Sequence, residues 1–209
     1  MFTSASTDSM SPTRNNSGAG VLDSPGFTMV ELLIGLVLAM FLTLAMLLSY
    51  TFLVRSLIRS SNQQQIEAQS RRALQMLSQD VHAATDVPSF SLSQDSSQII
   101  LRLPNGGSTV DVTYSYSYDT AAGSGTLTRT VSGVSLTLLT GISRLSSSQT
   151  FFNYFDKQGL SVATYPLGIK QIEVIGFTAT CGNPRIGTQS SYTGASARFV
   201  LRSKHLVNY

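Results

Sequence analysis

The sequence predicts an α+β protein in which a long N-terminal transmembrane helix continues into a globular head with an antiparallel β-sheet. Three observations carry this. Residues 32–54, LLIGLVLAMFLTLAMLLSYTFLV, run for 23 positions without a charge. No Gly or Pro interrupts residues 36–87. Beyond residue 88 the texture changes to short alternating segments separated by turn residues.

The uncharged run is long enough to cross a bilayer. At about 1.5 Å rise per residue it spans roughly 35 Å against a hydrocarbon core of about 30 Å. A cleavable secretory signal has a shorter apolar core and ends in small residues, which this segment does not. Residues 1–26 are rich in Ser, Gly, Asn and Thr, with Asp8, Arg14 and Asp23 the only charges, and cannot build a core. The membrane half of the helix is assigned to residues 27–54 and its soluble half to residues 55–87. In the soluble half Leu74, Leu77, Val81 and Ala84 recur at spacings of three and four, a narrow apolar stripe that must pack on something. Pro88 ends the helix.

Residues 88–209 form the β-rich head. In TVDVTYSYSY (109–118), Val110, Val112, Tyr114, Tyr116 and Tyr118 fall on one side of a strand. TLTRTV and VSLTLL follow, separated by Ser132 and Gly133, and residues 98–103, 151–155, 170–178 and 198–202 complete an antiparallel set. The outer half of the helix is expected to cover one face of the sheet.

Composition excludes several classes. Fourteen Lys and Arg against 11 Asp and Glu leave a net charge of only +3, so there is no strongly basic surface. The lone Cys181 rules out an intramolecular disulfide and cysteine-rich metal sites, and reads as a small residue near a turn. His82, with Asp80 and Asp86 nearby on the helix, supplies two ligands of a metal site but no third, so the expectation is a solvated face. His205 beside Lys204 has no nucleophile or orienting acid, and there is no phosphate-binding glycine loop. No enzymatic activity and no cofactor are expected.

The most informative residues stand at the entrance to the apolar run: Gly26, Phe27, Thr28, Met29, Val30 and Glu31. Thr28 and Glu31 have capping-box spacing, in which hydroxyl and carboxylate satisfy free amide donors at a helix start. A carboxylate one turn into a membrane helix is also a functional candidate in its own right.

The segment GFTMVELLIGLVLAMFLTL resembles the N-terminus of type IV pilins and type II secretion pseudopilins. The resemblance implies that a prepilin peptidase removes residues 1–26 as a leader, cutting between Gly26 and Phe27, and N-methylates Phe27. It also implies that Glu31 pairs with the Phe27 ammonium of a neighbouring subunit during filament assembly. The order of VTYSYSY, TLTR, GISRL, FFNYFDKQG, IKQIEVIGF and RFVLRS resembles J-type minor pseudopilins and PilW-like minor pilins. The implied function is a minor subunit acting in initiation or near the tip of a type IV pilus or secretion pseudopilus. Glu31 sets it apart from the outermost tip subunit of that family. The implied partners are the prepilin peptidase, other major and minor subunits packing along the long helix, and the bacterial inner membrane, with the head extracytoplasmic.

Three points sit beside this resemblance. The leader is long and has Arg14 as its only basic residue, with Met10 a second start that leaves the motif intact. Arg55, Arg59, Arg71 and Arg72 follow the span, where a count of positive charges favours the cytoplasm. A DNA-uptake filament would give Tyr114, Tyr116 and Tyr118 a base-stacking role and Arg198, Arg202 and Lys204 a phosphate-binding one; strand alternation makes a core face or a subunit contact the simpler reading. The alternative from another class is a signal-anchored single-pass protein with a β-rich binding or sensor head.

Overall fold

The computed structural model describes residues 26–164, 168–194 and 196–202. It has the expected α+β organisation: one long apolar N-terminal helix, α1 (Met29–Ala83), followed by an antiparallel sheet-rich head. The chain divides into two compact units, residues 1–47 and 48–209.

In the first unit the described part of α1 exposes apolar side chains all round, including Leu33, Leu36, Phe41 and Leu44. Thr43 donates its hydroxyl to the Met40 carbonyl at 2.9 Å, so even this polar side chain is satisfied within the helix, as a lipid environment requires. The helix is long and apolar enough to act as a membrane anchor.

In the second unit, α1 buries Ile66, Ser70, Ala73, Leu77 and Val81, spaced by four, three, four and four. This is the expected stripe, shifted so that Ala73 lies in the core and Leu74 at its margin. The helix stops at Ala83, not at residue 87: Pro88 has no N–H for the Ala84 carbonyl and its ring would clash there, and it also disfavours helical geometry at Val87. Val87 and Pro88 instead lie in strand β1 (Asp86–Ser91), an edge strand whose pairing slips between Asp86 and Ser89, where the missing Pro88 donor leaves no gap in the ladder.

Strands β2 (Ser96–Asn105), β3 (Ser108–Asp119), β4 (Ser124–Val131) and β5 (Val134–Ile142) form successive hairpins. The β4–β5 turn uses Ser132 and Gly133 at φ 49° and 82°, the two positive values that a two-residue hairpin loop requires. The segment 170–178, expected as one strand, is two: β7 (Gln171–Val174) and β8 (Phe177–Cys181), broken at Ile175 and Gly176 and assigned to different sheets. With β6 (Phe152–Phe155), β9 (Ser190–Gly194) and β10 (Ala197–Val200) they give a seven-stranded sheet, β1-β2-β3-β4-β5-β8-β9, and a three-stranded sheet, β10-β7-β6. Strands β1 and β9 were not anticipated.

One face of the large sheet supplies Ile99, Leu101, Val112, Tyr114, Tyr116 and Leu127 to the core shared with the α1 stripe. Phe151, just before β6, connects the layers: its ring stacks on Tyr116 at 4.7 Å and meets Phe152 edge-on at 5.1 Å and Phe177 at 5.7 Å. Tyr154 donates its hydroxyl to the Gln98 carbonyl at 3.1 Å, tying β6 to β2.

Candidate functional site

The residues singled out at the start of α1 form a compact polar cap. Thr28 is the residue before the helix, and its carbonyl accepts the Leu32 amide at 3.1 Å. The Glu31 carboxylate accepts from both the Thr28 amide and the Thr28 hydroxyl at 3.1 Å, through Oε2. The Glu31 amide donates back to Thr28 Oγ1 at 3.3 Å. This is a reciprocal capping box: amide donors are satisfied in an apolar segment and the negative charge sits at the positive end of the helix dipole. Gly26 and Phe27 precede the helix, and Phe27 is 82% exposed. Gly26 is exposed as well, and a side-chain carbon built there would meet nothing within 4 Å.

The remaining sequence candidates are dispersed. Asp80 does not face a metal site with His82; Oδ2 accepts the Tyr114 hydroxyl at 2.6 Å and Arg129 Nε at 2.7 Å. Arg129 Nε also donates to the Tyr114 oxygen at 3.2 Å. Tyr114 and Arg129 are register partners on β3 and β4, so one helix carboxylate clamps two strands. Burial, then the bond to Asp80, raises the Tyr114 phenol pKa far above its usual range, and the same carboxylate raises that of Arg129.

Tyr114 and Tyr116 are 0% exposed and belong to the core, which leaves no face for a nucleic-acid base. Arg198 is engaged by Glu173 at 3.3 Å and lies over the Phe155 ring at 4.0 Å. Cys181 ends β8, half-buried with a free thiol. Lys204 and His205 lie outside the described residues.

Sequence reasoning missed a second polar joint. Arg59 Nη2 donates to the Gly187 carbonyl at 2.8 Å, Asn62 Nδ2 to the Thr188 carbonyl at 2.8 Å, and Ser190 Oγ to the Arg59 carbonyl at 2.7 Å. These bonds close over separations of 126 to 131 residues, so no local signal could have disclosed them.

Searches of protein-family models, curated proteins and solved structures return no match to the chain. The described residues therefore establish, by their own geometry, a signal-anchor-like apolar helix with a capped N-terminus, followed by a β-rich head.

Proposed function

We propose that the chain is a minor subunit of a type IV pilus or a type II secretion pseudopilus, anchored in the bacterial inner membrane until it is assembled. The observation that carries this reading is the exposed Gly26–Phe27 bond directly before a capped Glu31 and an unbroken apolar helix. Cleavage by a prepilin peptidase would free the Phe27 amine. N-methylation keeps that amine cationic, so its pairing capacity survives modification. Glu31 would then exchange its own Thr28 donors for the Phe27 ammonium of a neighbouring subunit. Two charges costly to hold in apolar surroundings neutralise each other, and the pairing sets axial register. The chain supplies helix, register and head surface; energy for assembly comes from another protein.

The test is mass spectrometry of the N-terminus of the protein purified from native membranes. The expected species begins at N-methylated Phe27. An intact leader in a host with an active prepilin peptidase overturns the assignment.

A second reading draws support from the cap itself. Because Thr28 already satisfies the Glu31 carboxylate within one chain, Glu31 has a complete structural role in a signal-anchored protein whose β-rich head binds or senses a ligand. In that case Glu31→Ala affects helix stability alone.

A further inference from the structure

The arginines that follow the apolar run stand beside a head loop that the proposed function leaves without a role. Arg55 is the first charge after the uncharged segment, and Arg59 follows one turn later. At about 1.5 Å per residue they are separated by roughly 6 Å along the axis, comparable with the depth of one headgroup layer. Arg59 holds the Gly187 carbonyl, and the neighbouring Asn62 and Ser190 bonds fix the same loop. A short 3-10 turn, Pro184–Ile186, is capped by Asn183, whose side chain accepts the Arg185 amide at 2.9 Å. This rigid loop leaves Ile186 53% exposed.

Two hollows join loop and helix. One, of about 280 Å³, is lined by Tyr50, Val54, Arg55, Ile58, Ile186 and Thr188. The other, of about 240 Å³, is lined by Phe52, Arg55, Ser56, Arg59 and Gly187. Exposed Tyr50, Phe52 and Ile186 thus adjoin exposed Arg55 and Arg59, and exposed Arg185 directly precedes Ile186 in the loop. Neither residues 48–66 of α1 nor residues 182–194 contain Asp or Glu, so the sequence supplies no carboxylate in these segments to neutralise the arginines. Apolar and aromatic side chains beside guanidinium groups with no carboxylate in the same segments, at the end of a membrane-length apolar run, match the boundary of an anionic bilayer.

We propose that Arg55, Arg59 and Arg185, with Ile186 inserted beside Tyr50 and Phe52, form an interfacial site for anionic phospholipid headgroups. The site rests on the reading of α1 as a membrane span. It gives the positive charges after the span a function that depends on the lipid they meet and not on topology alone. The Arg59 guanidinium can serve both the Gly187 carbonyl and a phosphate, because it carries five N–H donors in a planar fork and the carbonyl takes only one.

The test uses the full chain carrying Cys181→Ser and one of two cysteine reporters, Leu44→Cys or Ile186→Cys, each labelled with an environment-sensitive fluorophore. The protein is reconstituted into vesicles of phosphatidylcholine alone or of equal parts phosphatidylcholine and phosphatidylglycerol, and quenching by brominated acyl chains is read. The Leu44 label is expected to be quenched in both vesicles. The Ile186 label is expected to be quenched in the anionic vesicles, less so in the neutral ones, with the difference reduced by salt. In Arg55→Gln/Arg185→Gln, which spares Arg59 and the loop it holds, the preference for anionic vesicles should fall on the order of fivefold per neutralised arginine. A quenched Leu44 label with an Ile186 label that responds equally to both lipids overturns the headgroup site and leaves the span intact. An unquenched Leu44 label overturns the span, and the site with it.

Discussion

Replacing Asp80 with alanine removes the one carboxylate that joins α1 to β3 and β4. The Tyr114 hydroxyl, wholly buried, loses its acceptor, and the Arg129 guanidinium loses its counter-charge. Breaking a buried ion pair from one side costs about 3–5 kcal/mol. Here the side chains are 15% exposed for Asp80 and 25% for Arg129, so the arginine can partly rehydrate. We therefore expect a loss of about 2–4 kcal/mol, against about 1 kcal/mol for Tyr114→Phe, which removes only a hydrogen bond. The assay is urea unfolding of the full chain in detergent micelles. Tyrosine fluorescence is the signal, because the chain has eight tyrosines and no tryptophan. A double-mutant cycle with Arg129→Met isolates the ion pair. If Asp80→Ala costs less than about 0.5 kcal/mol and the cycle shows no coupling, the carboxylate is not the joint described here.

Leu77→Ala, at a fully buried position of the helix stripe, is expected to cost about 2–5 kcal/mol in the same assay. Gly141 and Gly159 separate conformation from contact: both have positive φ, 75° and 82°, but a side-chain carbon at Gly141 overlaps the Thr180 carbonyl whereas one at Gly159 meets nothing. Gly159→Ala should cost about 1–2 kcal/mol and Gly141→Ala clearly more, read from the shift in urea midpoint. Burial pushes the Tyr116 phenol up to about 12 and raises Tyr154 and Tyr114 further. A pKa raised in the fold gives stability that is complete below the unfolded value near 10 and is lost as pH rises through the folded value. The head should therefore weaken above about pH 10: exposed rings ionise without unfolding, and the further tyrosinate absorbance of the three buried rings should appear in step with unfolding; absorbance that rises fully before unfolding would contradict the burial of these rings. For the proposed function, Glu31→Ala should leave the protein in the membrane but deplete it from sheared filaments, and normal incorporation would reject the pairing role.

The features legible in the sequence are those set by neighbours in the chain. The Thr28–Glu31 cap joins residues three positions apart, and the alternation of Val112, Tyr114 and Tyr116 on β3 follows from the pleat alone. The break between β7 and β8 was written in the sequence as a phase shift: Ile172 and Val174 alternate, then Phe177 and Ala179 resume one position out of step. Read as a hydrophobic run, the segment merged into one strand. Asp80 was unreadable for a different reason, since its partners lie 34 and 49 residues away and become adjacent only when β3 and β4 pair. Strand β9 hid because its buried positions are Ser190 and Gly194, which carry no hydrophobic signal.

The long-range bonds between α1 and the loop after β8 impose an order on biosynthesis. Arg59 and Asn62 leave the ribosome more than 120 residues before Gly187, Thr188 and Ser190, which complete their joint. At about 5–20 residues per second this is a delay on the order of ten seconds. Strands β2, β3 and β4, which cover the stripe from Ile66 to Val81, emerge well within that interval, so the helix gains its sheet first and the joint at Arg59 and Asn62 closes only late in synthesis.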